Sequence, residues 1–256
     1  MSKFAQKLQR AYTGSAPSIG FRRSAETETP PLLLIANVTK ASVTEARAIA
    51  GGTDAAVVNS GDINAKSFGQ LAKASGDIPL GIFLEGVVKA ETARSIELGS
   101  DFVVFGLRMP VEAVSKEGLG RILKIDPSLD QGLARAINAL PLQIDGVLVT
   151  GEESLITIER LLVYRRFAEL LDKPLLVTLG SSVTGDELKS LYEAGVNGVM
   201  LPQGFPVEAL ADLKKTIAGL SKTAKRRARG TALLPRLGGQ LQGEAEEQEE
   251  EEEEEV

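Results

Sequence analysis

Lys124 stands between Ile122-Leu123 and Ile125, inside an apolar run where a solvated surface lysine is out of place. Partial desolvation would depress the pKa of such an amine, while Asp126, two residues on, would favour the ammonium. Three roles are open to Lys124: Schiff-base nucleophile, proton donor, or electrostatic clamp on a carboxylate or phosphate. Glu85, at the end of another apolar run, is the matching general acid or base. A purely structural alternative joins Lys124, Asp126 and Glu85 in an ion cluster that plugs a polar mouth.

Counting by two through each run adds further candidates. Leu33-Ile35-Asn37, Ala55-Val57-Asn59, Gly81-Phe83-Glu85 and Ile122-Lys124-Asp126 each share one face of an extended segment and end in a polar residue. If these phases point to a common interior, Asn37, Asn59, Glu85, Lys124 and Asp126 converge on one opening. Arg108, after Phe105-Gly106-Leu107, could grip an anionic substrate bidentately, or simply be solvated. Thr178 faces either that opening or a helix. Thr150-Gly151-Glu152-Glu153, with Ser154, fits a helix start better than chemistry. With no Cys and no His, the chain has no thiolate nucleophile, no imidazole base and none of the usual zinc or haem ligands. Scattered carboxylates could hold Mg²⁺, but their spacing defines no metal site.

The elements that must position these groups announce themselves by repetition. A small loop, then Asp or Asn, then an apolar run recurs at Asp54, Asp101, Asp145 and Asn197, about 50 residues apart, the length of a strand-helix-strand-helix unit. Four such units make eight strands. The odd strands lie at 32–37, 80–85, 121–126 and 175–179, three of them led by proline, and the repeats supply the even ones. Helices are expected at 43–50, 65–75, 89–98, 111–116, 129–140, 154–171, 185–194 and 206–220. Val, Ile and Leu runs without polar alternation suit a parallel sheet covered on both faces. Gly52, Gly99 and Gly195 fit the left-handed residue that closes a helix. The repeat acids are then expected to be turn and strand-start residues at the non-catalytic end. The fold class is α/β, a (β/α)8 TIM barrel over residues 31–220.

An arm and linker, residues 1–30, precede the barrel. Phe4, Leu8 and Tyr12 fall at i, i+4 and i+8, an amphipathic helix that packs on the barrel or on a partner. Residues 221–256 change character twice, from a basic segment to low-complexity acid that predicts a disordered tail. Of the 35 acidic residues, ten lie between Glu244 and Glu255, so the net charge of −6 hides a mildly basic body. The tail solubilises the chain, competes for the basic segment or meets a basic partner. Nucleic-acid binding is disfavoured, because stacking aromatics are missing from the basic segment and the adjacent acid repels phosphate. No apolar run has the length of a membrane helix and the N-terminus lacks a secretion signal, so a soluble cytoplasmic protein is expected.

The segment from Pro174 through Leu179-Gly180-Ser181-Ser182 to Leu188, followed by residues 191–200, resembles the last two strands of the aldolase-type, phosphate-binding TIM barrels. Indole-glycerol-phosphate synthase and thiamine-phosphate synthase are examples, and flavin-dependent barrels are similar here. The resemblance implies that backbone N–H groups of Gly180, Ser181 and Ser182 form the first half of a phosphate cradle. Where the family often places Gly with Ser or Thr after strand eight, this chain has Leu201-Pro202-Gln203-Gly204-Phe205. Proline removes one donor, leaving Gln203 and Gly204 to contribute.

Three functions fit these residues. The first is a lyase, aldolase or isomerase acting on a small phosphorylated or carboxylated metabolite by Lys and carboxylate chemistry. A non-catalytic barrel serving binding or assembly, including homo-oligomer formation, is the second. Flavin mononucleotide binding comes third, disfavoured by 4% aromatic residues and the absence of Trp. No cofactor is specified by the sequence.

Overall fold

The computed structural model describes residues 1–14, 30–85, 96–97, 99–151, 155–180 and 183–220. The expected linker, most of the helix at 89–98, Ser181, Ser182 and residues 221–256 lie outside them. Eight parallel strands close in sequence order into one barrel. They are β1 Leu33–Asn37, β2 Ala55–Asn59, β3 Leu80–Phe83, β4 Phe102–Gly106, β5 Gly120–Ile125, β6 Gly146–Val149, β7 Leu175–Thr178 and β8 Gly198–Leu201. Helices α1 Lys3–Thr13, α2 Val43–Gly52, α3 Ala65–Ser75, α4 Gln131–Ala136, α5 Ile158–Leu170, α6 Gly185–Glu193 and α7 Val207–Ala218 accompany them. Two expected helices are shorter than their apolar periodicity suggests. Residues 111–116 form only the 3₁₀ turn Val111–Val114, and the 129–140 segment becomes α4 and a 3₁₀ turn at Ile137–Ala139. Pro110 starts the first of these segments and four residues later the chain turns toward β5, leaving no length for an α-helix.

Period-two alternation divides the strand side chains between two cores. Leu34, Ala36, Val58, Val103, Leu123, Val147, Val177 and Val199 face outward into the layer shared with the helices. Leu33, Ile35, Ala55, Val57, Phe102, Val104, Ile122, Leu148, Leu176 and Met200 face inward and fill the barrel. An eight-stranded interior is just wide enough for such filling.

The inner core also contains Phe4, Leu8 and Ala11 of α1. This helix enters the barrel at the N-terminal ends of the strands and forms its floor, with Phe4 stacked on Phe102 at 4.2 Å between ring centroids. Inward glycines make the room. A Cβ on Gly120 would meet Ser2 Oγ at 2.5 Å, and one on Gly146 would meet Leu8 Cδ2 at 2.7 Å.

The repeat acids acquire a common physical reason. Asp54 accepts from the Leu34 N–H at 2.8 Å, Asp145 from Arg121 N–H at 2.9 Å and Asn197 from Leu175 N–H at 3.0 Å. Leu34, Arg121 and Leu175 each sit one residue before the first ladder pair with the following strand. The side chain supplies the acceptor that the ladder does not yet provide. Asp101 is diverted: it accepts from the backbone N–H of Lys3 at 2.7 Å and Phe4 at 2.8 Å, and from Ser2 Oγ at 2.7 Å. One member of the repeat therefore holds the floor helix by its positive end.

Gly99 and Gly195 have the left-handed backbone expected of them, with φ of 96° and 102°. Gly52 does not. It closes α2 without a positive φ, and a Cβ there would meet Leu210 of α7 at 2.9 Å, so this glycine serves close helix packing.

Candidate functional site

In a parallel barrel the C-terminal strand ends form a mouth from which inward-phased residues project. Lys124 lies one step beyond Ile122 on the inner face of β5, in register with Gly106 and Leu148. Its ammonium sits 5.2 Å from the centroid of the Phe83 ring, a cation–π contact, and the residue is half-buried. No carboxylate of the described residues lies within ion-pair distance of it, since the ion pairs there are Lys40–Asp62 and Arg165–Glu169. The structural alternative, an ion cluster of Lys124, Asp126 and Glu85, is not formed.

Asp126 is exposed just past β5 and makes no ion pair with Lys124. Its Oδ1 accepts from the Ser128 hydroxyl at 2.6 Å and the Ser128 N–H at 2.8 Å. These bonds, with a smaller contribution from Lys124, hold its carboxyl below the ordinary aspartate range. Glu85 is exposed two residues beyond the end of β3, and its N–H donates to Ser60 Oγ at 3.3 Å.

Asn37 and Asn59 are half-buried on the inner phase. Asn37 Oδ1 accepts from Thr39 N–H at 3.0 Å, and the Asn59 N–H donates to Thr39 Oγ1 at 2.8 Å. Both thereby fix the loop after β1. Beside that loop, outside the mouth, lies a cavity of about 240 Å³ lined by Thr39, Lys40, Ser42, Asp62, Gln70 and Leu71 among others.

Thr178 faces the interior, in register with Met200, and its Oγ1 accepts from the Gly151 N–H at 3.2 Å. Gly180 is half-buried past β7. Gln203 and Gly204 are exposed after β8, with Gly204 at φ 73°. Arg108 is exposed in the turn after β4. The structure thus gathers Lys124, Asn37, Asn59 and Thr178 on one inward phase and leaves Glu85, Asp126, Arg108, Gln203 and Gly204 on the rim. Phe83 is the participant that the sequence reading did not assign. Its position in the Gly81-Phe83-Glu85 phase, level with the mouth, was the available signal.

Among the described residues no group of three or more Asp and Glu could hold a metal ion. No helix there is long and apolar enough to cross a membrane.

The closed ring of eight parallel strands and its helical shell define a (β/α)8 TIM barrel. No protein-family profile and no curated protein matches the sequence. Similar solved structures include orotidine 5'-phosphate decarboxylase from Pyrococcus horikoshii OT3, at TM-score 0.57 and 15% identity, covering 73% of this chain and 100% of that one. A mutant tryptophan synthase alpha-subunit from Pyrococcus furiosus matches at TM-score 0.51 and 16% identity over 72% of this chain and 96% of that one. FabK from Thermotoga maritima matches at TM-score 0.51 and 15% identity over 67% of this chain, which spans only 58% of FabK. At these identities the likeness is one of fold.

Proposed function

We propose that the protein is a TIM-barrel enzyme acting on a small phosphorylated or carboxylated metabolite held at the C-terminal mouth. Lys124 is the observation that carries this reading: an inward, half-buried ammonium rests on an aromatic face and forms no ion pair with a carboxylate of the described residues. Such a group attracts an anion in a setting where water screens it less than at the surface. In this reading Thr178 and the turns at Gly180 and Gly204 add polar groups at the same end of the barrel. Reaction class is the finer step. Lys124 serves as clamp or imine-forming amine, with Glu85 or Asp126 as the carboxylate partner, in lyase, aldolase or isomerase chemistry. Similar folds named as a decarboxylase of a nucleoside phosphate and as a synthase subunit support an enzyme of this kind.

The test is calorimetric titration of the chain and of Lys124→Met with inorganic phosphate and with a panel of phosphorylated and carboxylated C3 to C6 compounds. Binding to the native chain should weaken by about tenfold or more in the variant, roughly 1.4 kcal/mol. Equal binding by both proteins, or binding of none of the panel by the native chain, would overturn the reading. Borohydride reduction with carbonyl members of the panel separates the two roles of the lysine: labelled Lys124 assigns the imine, and anion binding without labelling assigns the clamp.

A further inference from the structure

The cavity of about 240 Å³ lies between the loop after β1, the start of α2 and α3, and its lining has two characters. Val58 and Leu71 are buried and Ile63 is half-buried, which gives it an apolar inner wall. Lys40, Asp62 and Gln70 are exposed and form its polar rim. A cavity of about 150 Å³ accepts benzene, so this one has room for roughly ten non-hydrogen atoms, the size of leucine or methionine.

The charges at the rim narrow the choice of ligand. Lys40 Nζ lies 3.3 Å from Asp62 Oδ1, and because both side chains are exposed the pair adds little to the stability of the fold. A simple anion would gain Lys40 but meet Asp62. It would also meet Glu45, whose carboxylate accepts from the N–H of Ser42 in the lining at 2.8 Å. A simple cation would gain Asp62 but meet Lys40. A zwitterion whose two charges sit close together satisfies both. In an α-amino acid, covalent geometry sets the amino nitrogen about 2.5 Å from the carboxyl carbon and about 2.7–3.6 Å from the carboxylate oxygens. That span matches the 3.3 Å between Lys40 and Asp62. The head group can therefore lie antiparallel to the pair, its carboxylate on the Lys40 ammonium and its ammonium on the Asp62 carboxylate, without separating the two side chains.

We infer that this cavity is a binding site, separate from the mouth, for a free apolar α-amino acid of the size of leucine or methionine. Its zwitterionic head pairs with Lys40 and Asp62, and its side chain packs against Val58, Ile63 and Leu71.

The test is a titration of the full chain with leucine and methionine, followed by the backbone amide resonances and carried to about 10 mM because so small a ligand binds weakly. The amides of residues 39–43 and 62–71 should shift and saturate. Isocaproate, which is leucine without its amine, and isoamylamine, which is leucine without its carboxylate, should each bind about fivefold more weakly or worse. Asp62→Asn should weaken leucine and strengthen isocaproate, whereas Lys40→Gln should weaken leucine and strengthen isoamylamine. Loss of the fold cannot produce that crossover. Absence of shifts in these amides with either amino acid overturns the inference. So does binding of isocaproate or isoamylamine to the native chain as tightly as leucine, or a pair of variants that shows no crossover.

Discussion

Replacing Asp101 with alanine should cost more than replacing any other acid of the repeat. In the native chain its carboxylate accepts three hydrogen bonds from the start of α1, two from backbone N–H groups and one from the Ser2 hydroxyl. Charge-assisted bonds contribute about 1.5–3 kcal/mol each when partly buried, and the Lys3 N–H, which is exposed, regains water. The Ser2 hydroxyl and the Phe4 N–H are partly buried and do not recover fully, so the loss sums to about 3 kcal/mol with the interaction at the helix N-terminus included. Undocking α1 is not the cheaper response. It would empty the sites of Phe4 and Leu8, 1% and 0% exposed, each worth about 2–5 kcal/mol by the cost of deleting such side chains. The helix should therefore stay in place, weakened. Asp145→Ala is the control: it removes one bond to the Arg121 N–H and one to the exposed Gln143 amide, for about 1–2 kcal/mol. Urea unfolding followed by circular dichroism would show a midpoint about 1 M lower for Asp101→Ala at an m-value near 3 kcal/mol/M. Amide exchange at Phe4 to Ala11 should quicken together with the global change. A midpoint no lower than that of Asp145→Ala would refute the assignment of Asp101 as the floor's anchor. So would loss of protection in α1 with the global midpoint unmoved, because the helix would then lie outside the cooperative core.

Two further outcomes follow from the same end of the barrel. Gly146→Ala puts a methyl 2.7 Å from Leu8 Cδ2 and should destabilise by about 1–3 kcal/mol; in a double-mutant cycle Leu8→Ala should recover part of that, whereas strict additivity would show that the two sites do not touch. Asp54→Asn should raise the thermal midpoint near neutral pH. Burial pushes the Asp54 carboxyl above its ordinary range despite the Leu34 N–H, Lys214 and Lys7. A raised native pKa means that stability is lost as pH rises through it, so the native chain carries the full penalty at neutrality and none below the unfolded pKa. The gain should fade on acidification below the ordinary carboxylate range, and a gain that persists or grows there would contradict this sign.

The barrel was legible because parallel strands announce themselves twice. That Leu33-Ile35, Ala55-Val57 and Ile122-Lys124 each share one face follows from alternation, and the closed barrel turns those faces inward; the repeat acids mark strand starts because a ladder's first N–H needs an acceptor. The destination of α1 was not legible. Phe4 and Leu8 show that a helix has a buried side but not what buries it, and the receptor's signature, Gly120 and Gly146 at the start of the inner phase, has meaning only once the ring is closed. Gly52 misled for a related reason: a missing Cβ serves either a left-handed turn or close packing, and only Leu210 decides between them. At the mouth, the phase of Asp126 is continuous with Lys124, yet its side chain is captured by Ser128 two residues on. Asp-Pro-Ser is an Asx-turn sequence, so the local bond outcompetes the ion pair expected from spacing alone.

The two ends of the barrel therefore divide the work in a way that bears on any experiment with Lys124. Acids at the floor are spent on backbone N–H groups and on the start of α1, which closes the interior from below with Phe4, Leu8 and Ala11. At the mouth, Asp126 is held by Ser128 and Asn37 by Thr39, and the Lys124 ammonium rests on an aromatic ring with no hydrogen bond or ion pair among the described residues. Removing that ammonium breaks no hydrogen bond or ion pair of the described residues and forfeits only the contact with the Phe83 ring, so Lys124→Met should lower the unfolding free energy by no more than about 1 kcal/mol even where anion binding falls tenfold. A lysine kept for stability would show the reverse, a large shift in the midpoint with binding unchanged. The pair of measurements separates a residue that holds the fold from one that the fold holds for a ligand.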